Sequence, residues 1–287
     1  MKADKEFKDL EKLLDDMETV IGKQLTASQK VLVEKLSDAI SGQSTKGSIP
    51  RGTNLSRVIE KGYAEFKQDE LPKVMGVLVK HLVSILDAGQ AYFSVIAGKD
   101  VGDSEKYRVL KSLGIEATQK TFKVISGGYL ESLVYDADIL NDIKRVTINA
   151  AFGDVELTAL NKQMRDIIEG TNGTEGKFER HFKTYTYDVL QRTSRYQTTA
   201  IAEKVGLKAF IYSGTVIDNT RKFCKDRAGK VFTIEEAQEW ENEDFAGKPK
   251  DYDPLRDLGG HNCRHNKRYI TAAEAIRRRP ELANYFN

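Results

Sequence analysis

The sequence predicts a mainly α protein with a small α+β C-terminal domain behind an extended helical N-terminal region. Three observations predict it. Apolar residues recur at helical spacing through most of the first 206 positions. After Gly206 the texture changes to short aromatic and β-branched runs separated by turn signals. Both cysteines, Cys224 and Cys263, and two of the four histidines, His261 and His265, fall in that last part. The expected division is 1–53 (N-terminal helices and a Gly/Ser-rich linker), 54–206 (helical region) and 207–287 (small α+β domain).

At 287 residues, 40% hydrophobic and 31% charged, the chain can bury a sizeable core and is not a disordered segment. A formal net charge of +2 gives no global field for nucleic acid. Residues 1–20 carry charges throughout and contain no apolar signal-peptide core. The most apolar run, Val74–Gly98, is interrupted by Lys80, His81, Asp87 and Gln90, which predicts a buried helix rather than a membrane span. Two cysteines without a secretion signal point to a reducing compartment.

The elements follow in order. Phe7, Leu10, Leu14, Met17 and Ile21 form one helical stripe. The segment "TASQ" at Thr26–Gln29 has capping-box spacing and predicts a second helix there. "SGQSTKGSIPRGT", Ser41–Thr53, reads as a flexible linker or long loop. Helical patterns resume over 55–66 and again from Pro72, a residue suited to a first helical turn. Further helices are expected over Lys106–Leu113, Tyr129–Ala151 and Val155–Ile168. "GTNGTEGK", Gly170–Lys177, lacks the spacing of a phosphate loop and reads as a turn between helices. A long helix is expected over Lys177–Val205, with Phe178, Phe182, Tyr185, Val189, Leu190, Tyr196 and Ile201 on one face.

In the last part, "KAFIYSG" and "KVFT" read as strands. "DNTRKFCKDRAG" reads as a short helix over Asn219–Arg227, capped by Asp218 and closed by Gly229. Thr233 and Glu236 have the spacing of a capping box. "CRHNKRYIT" reads as a strand and "AAEAIRRR" as a final helix.

On an extended strand His261, Cys263 and His265 would share a face, and with Cys224 they would make a Cys2His2 set suited to tetrahedral zinc. Two other readings stand beside this one: a Cys224–Cys263 disulfide, or two small buried hydrophobic side chains. An enzymatic reading would use Asp218 or His265 as general base and Cys224 as nucleophile. Asp218 is also placed to pair with Arg221 or Arg264. Six Lys or Arg residues lie between Arg264 and Arg279 (Arg264, Lys267, Arg268, Arg277, Arg278, Arg279), against one acidic residue, Glu274. That run is either a solvated tail or a phosphate-contacting patch.

Asp218-x-Thr220-Arg221-x-Phe223-Cys224, then Gly229-Lys230, then Gly259-Gly260-x-Asn262-Cys263-Arg264-His265, resembles the C-terminal domain of the phage Mu F-like minor head proteins. These are also called phage head-morphogenesis proteins. The match covers about Leu207–Ile270 and rests on two separated patterns occurring in order. The resemblance implies a virion structural protein made in the bacterial host cytoplasm, sited in the capsid interior or neck near the portal and present in several copies. The portal or major capsid protein would be its partner, and packaged double-stranded DNA a further contact; no membrane is implied. It makes Asp218, Thr220, Arg221, Cys224, Asn262, Cys263, Arg264 and His265 the core of the small domain. Relatives exchange cysteine for the residue at His265, as a zinc site tolerates, while His261 is the less regular position.

Overall fold

In a computed structural model, residues 2–118, 121–134, 137–151, 155–171, 173–181 and 187–286 are described. The first element, α1, is one helix over Lys2–Ser41. The second helix expected at Thr26 does not begin there. The Thr26 hydroxyl donates to the Gly22 carbonyl one turn back at 3.0 Å, so it serves the helix interior instead of capping a new one. Nothing between Ile21 and Val31 breaks a helix, and the buried stripe simply continues through Leu25, Leu32, Leu36 and Ile40.

The Ser41–Thr53 segment is not a free linker. It contains β1 (Ser48–Ile49), and Ile49 is fully buried. The next helix, α2, spans Leu55–Ala97 without interruption, with Pro72 inside it. Pro72 therefore starts no helix; it sits exposed where its missing N–H cannot reach the carbonyl of Gln68. Then come α3 (Ser104–Ser112), β2 (Ile115–Ala117), β3 (Phe122–Val124), α4 (Tyr129–Val134), α5 (Ala137–Ala151), β4 (Val155–Glu156) and α6 (Leu157–Glu169). A tight hairpin follows, β5 (Gly170–Thr171) and β6 (Thr174–Glu175). Gly170 has φ +88°, and a Cβ there would collide with the Thr174 carbonyl, so the turn needs glycine. The long helix expected over Lys177–Val205 is described as α7 (Lys177–His181) and α8 (Tyr187–Val205), and Phe182 and Tyr185 lie outside the described residues.

The last part contains β7 (Ala209–Ser213), α9 (Lys222–Arg227), β8 (Val231–Thr233), α10 (Ile234–Gln238), α11 (Pro254–Asp257), β9 (Asn266–Ile270), α12 (Ala272–Arg278) and α13 (Ala283–Phe286). The chain is thus mainly α with small antiparallel sheets. Among the described residues, no helix is long and apolar enough to cross a membrane.

Residue contacts divide the chain into two units that do not follow the expected boundaries at 53 and 206. One unit comprises Met17–Lys80 and Phe122–Thr186. Its core is the buried stripe of α1 beyond Met17 with Ile59, Phe66 and Leu78 of α2, and it includes Leu160, Met164 and Ile168 of α6. Gln29 donates to the Ile168 carbonyl at 3.1 Å, Lys35 pairs with Asp69 at 2.9 Å, and β1 pairs antiparallel with β4.

The other unit comprises Met1–Asp16, His81–Thr121 and Tyr187–Asn287. Its centre is the antiparallel sheet β8-β7-β9. The middle strand β7 is buried on both sides, as its unbroken run of apolar residues requires. One face carries Ala209 and Ile211, which pack with Val231, Ile270, Ala275 and Leu282. The opposite face carries Phe210 and Tyr212, which meet the Trp240 ring edge to face at 6.2 and 5.8 Å. Residues from distant parts of the chain complete this unit. The Tyr92 hydroxyl of α2 donates to the Tyr269 carbonyl, Phe7 lies against Tyr92 with ring centroids 5.2 Å apart, Ser213 donates to Glu11 at 2.5 Å, and Arg268 pairs with Asp4.

Candidate metal centre

Tyr212 marks where the two cysteine-bearing segments meet. The β7 strand ends at Ser213, and the Ile217–Thr220 turn carries the chain toward α9. Thr220 closes that turn: its hydroxyl accepts from the Ile217 N–H at 2.8 Å, and its own N–H donates to the Ile217 carbonyl at 2.9 Å. One turn of α9 then buries Phe223 and Cys224. From the other side, Gly260 and Asn262 turn the chain with φ +81° and +56°, and Cys263 and His265 enter the interior just before β9.

Cys224, Cys263 and His265 are all buried, and one potential ligand atom from each lies within 4.8 Å of the others. The two sulfurs are 4.0 Å apart, about twice the length of a disulfide bond, and both cysteines are free. Cys263 Sγ is 3.8 Å from His265 Nδ1. The Tyr212 hydroxyl is 3.3 Å from Cys224 Sγ and 3.8 Å from Cys263 Sγ. Gly259 passes directly over the pair, and a methyl group there would run into both sulfurs. The Cys224 thiol is pushed well above the ordinary thiol range, first by its hydrogen bond to Cys263 and then by burial. Cys263 is pulled well below that range by the same hydrogen bond, with His265 and Arg195 assisting and burial opposing. Burial, then the two sulfurs, holds the Tyr212 phenol in its protonated form.

Two arginines fasten the centre. Arg221 donates to the carbonyls of Gly259 at 3.1 Å and His261 at 2.7 Å, tying the first motif to the second. Arg195, on α8 and almost fully buried, donates to the carbonyls of Cys263, His265, Arg256 and Asp257. Asp188, also on α8, accepts from the Asn262 N–H at 2.9 Å.

Several expectations are corrected here. Residues 261–265 are not strand, so alternate side chains do not share a face. His261 is consequently exposed, 3.7 Å from the Asp188 carboxylate and outside the buried cluster. Asp218 is exposed and, among the described residues, caps no helix. The short helix starts at Lys222 with Arg221 before it, and the Asp218 carbonyl accepts from Lys225 at 2.9 Å. Arg221 bridges the motifs through backbone carbonyls, not through Asp218. A general base at Asp218 is thus not assembled with Cys224, whose buried thiol is pushed up, away from the activated range of a nucleophile.

The basic run is dispersed. Lys267 is 3% exposed and donates to the Leu255 carbonyl and the Thr199 hydroxyl, so it faces the core and no phosphate. Arg268 pairs with Asp4 and Glu274, Arg278 with Glu274, and Arg279 with Glu236 and Glu281. The exposed Arg264 lies over the Tyr187 ring, 5.5 Å from its centroid, and Arg277 is exposed.

The donor set suits a metal ion: two soft sulfurs and an imidazole are zinc-type ligands. His265 turns its Nδ1 toward Cys263 Sγ, and its buried Nε2 has no hydrogen-bond partner among the described residues. Sequence reasoning did not find Tyr212, Arg195, Asp188 or the packing role of Gly259. The doublet Gly259-Gly260 beside Cys263 was the one visible signal of a close approach. Comparison with known protein families, with characterised proteins and with solved structures finds no match to this chain.

Proposed function

We propose that this is a phage minor head protein, a portal-associated structural component of the virion that acts in capsid assembly, genome packaging or ejection. In this reading zinc, held by Cys224, Cys263 and His265, staples the C-terminal sheet module. One observation carries the proposal: the two sequence motifs that prompt the resemblance, 40 residues apart at Arg221 and His261, pack against each other. Half-buried Arg221 ties the loop of the second motif down beside the two buried cysteines. Motif residues that meet in this way support a shared structural unit, and the burial of Cys224, Cys263 and His265 away from any substrate favours a structural over a catalytic role. The portal or major capsid protein is the partner this reading names, and the virion interior or neck its location. Contact with packaged DNA falls on Arg264 and Arg277, not on Lys267.

The test is particle composition. Particles assembled from the head genes of the encoding phage should contain this chain in far fewer copies than the major capsid protein, and should retain it through density banding. Normal, DNA-filled particles from a strain lacking the gene would overturn the proposal. Elemental analysis of the freshly purified, reduced chain addresses the ion: about one zinc per chain is expected, and it should be lost in Cys263→Ser.

A further inference from the structure

We propose that Tyr212 is the fourth ligand of this centre, so that a divalent cation is enclosed by two sulfurs, one imidazole nitrogen and one phenol oxygen. The inference rests on the metal reading above and specifies what completes it.

The distances argue for it. Metal–sulfur bonds of about 2.3 Å and metal–nitrogen or metal–oxygen bonds of about 2.0–2.1 Å define a tetrahedron with a sulfur–sulfur edge near 3.8 Å and sulfur–nitrogen or sulfur–oxygen edges near 3.5 Å. The corresponding separations here are 4.0 Å between the sulfurs, 3.8 Å from Cys263 Sγ to His265 Nδ1, and 3.3 and 3.8 Å from the sulfurs to the Tyr212 oxygen. All four lie within about 0.3 Å of the edges a zinc-sized ion sets. Relative to both sulfurs, the phenol oxygen thus stands where a fourth ligand would stand.

The chemistry of the hydroxyl agrees. Tyr92 and Tyr252, also buried, each donate to a backbone carbonyl, of Tyr269 and Leu258 respectively. The Tyr212 hydroxyl, fully buried, is directed between two sulfurs, which are weak hydrogen-bond acceptors. Enclosure agrees too. Tyr212, Cys224, Cys263 and His265 are all buried, and a Cβ on Gly259 would touch both sulfurs and lie 3.4 Å from the phenol oxygen. A site closed in this way takes its fourth donor from the chain. Charge closes the argument. Two thiolates, one phenolate and a neutral imidazole around a dication leave one net negative charge, which the Arg195 and Arg221 guanidiniums beside the centre offset. On binding, S–H and O–H bonds give way to metal–sulfur and metal–oxygen bonds, the protons leave to solvent, and nothing is oxidised or reduced.

The experiment compares the full chain with Tyr212→Phe, which keeps the ring packing and deletes only the oxygen, under reducing conditions. Cobalt(II) serves as the spectroscopic probe and zinc as the competitor. The wild-type chain should show sulfur-to-metal charge transfer with intense four-coordinate visible bands. Zinc binding should produce the ultraviolet difference signal of one ionised tyrosine. In Tyr212→Phe that signal should vanish, the visible bands should change, and zinc affinity should fall at least about tenfold. An unchanged cobalt spectrum and affinity in Tyr212→Phe would overturn the tyrosine ligand and leave the metal reading standing. Should the variant not fold, lack of a tyrosinate signal in the wild-type chain overturns the inference by itself. Absence of sulfur charge transfer in the wild-type chain would overturn both.

Discussion

Arg195 shows how one side chain can hold a site it does not belong to. The residue is 1% exposed, and its guanidinium donates to carbonyls at the end of α11 and in the loop that carries Cys263. Each buried acceptor left without its donor costs about 1–3 kcal/mol. Arg195→Met should therefore destabilise the chain by at least about 3 kcal/mol in a denaturant titration. Arg195→Lys should recover little, because one ammonium cannot replace a planar fork serving several oxygens. A loss below about 1 kcal/mol would mean the loops hold their shape unaided. At this scale the sequence was partly legible. Cys224, Cys263 and His265 stood out because cysteine is rare here and sulfur chemistry is specific. Arg195 and Tyr212 did not, because an arginine on a helix and a tyrosine in a strand carry no local mark of what the fold brings to them. His261 was misread because the strand begins only at Asn266.

Among the elements, periodicity was the dependable guide and the punctuation was not. The stripe of α1 and the apolar pattern of α2 were legible, as was the Thr233–Glu236 capping box, which forms with both of its reciprocal hydrogen bonds. The "TASQ" spacing and Pro72 misled, since tertiary burial carries a helix through weak local stop signals. Pro72 offers a measurable consequence. Replacing an exposed interior proline by alanine gains up to about 3 kcal/mol of helix propensity, offset by about 1 kcal/mol from the freer unfolded chain. Pro72→Ala should thus raise stability by about 2 kcal/mol, seen as a higher melting temperature.

A second consequence concerns acid. The Arg279 guanidinium, which binds both oxygens of Glu236, holds that carboxyl below its ordinary value of 4.5, with the Thr233 N–H assisting. Its stabilising contribution is complete above the unfolded-state value and disappears as pH falls through the lowered folded-state value. Glu236→Gln should therefore lower the melting temperature at neutral pH. The gap from wild type should narrow as pH drops below about 4.5, whereas a constant gap across that range would refute the linkage.

For the whole molecule, the two-unit division was the least legible feature, because it depends on contacts between residues far apart in sequence. The sheet module that sequence texture marks off at 207 is completed by Phe7, Glu11 and Tyr92 and by Asp4, which pairs with Arg268. A fragment of residues 207–287 should accordingly give poorly dispersed amide resonances, while the full chain shows ordered β7 and β9. A well-dispersed fragment spectrum would show that the helical contributions are dispensable.

The pairing of Asp4 with Arg268 spans 264 positions. A ribosome adding about 5–20 residues per second needs roughly 13–53 s to travel that distance. Throughout that interval the first turns of α1 are out in the cell with their apolar stripe and without the strand they are meant to meet. The nascent chain thus passes through a stage when the α1 stripe is sticky and β9 does not yet exist. Holding chaperones, or early contact with an assembling partner, would act within that window.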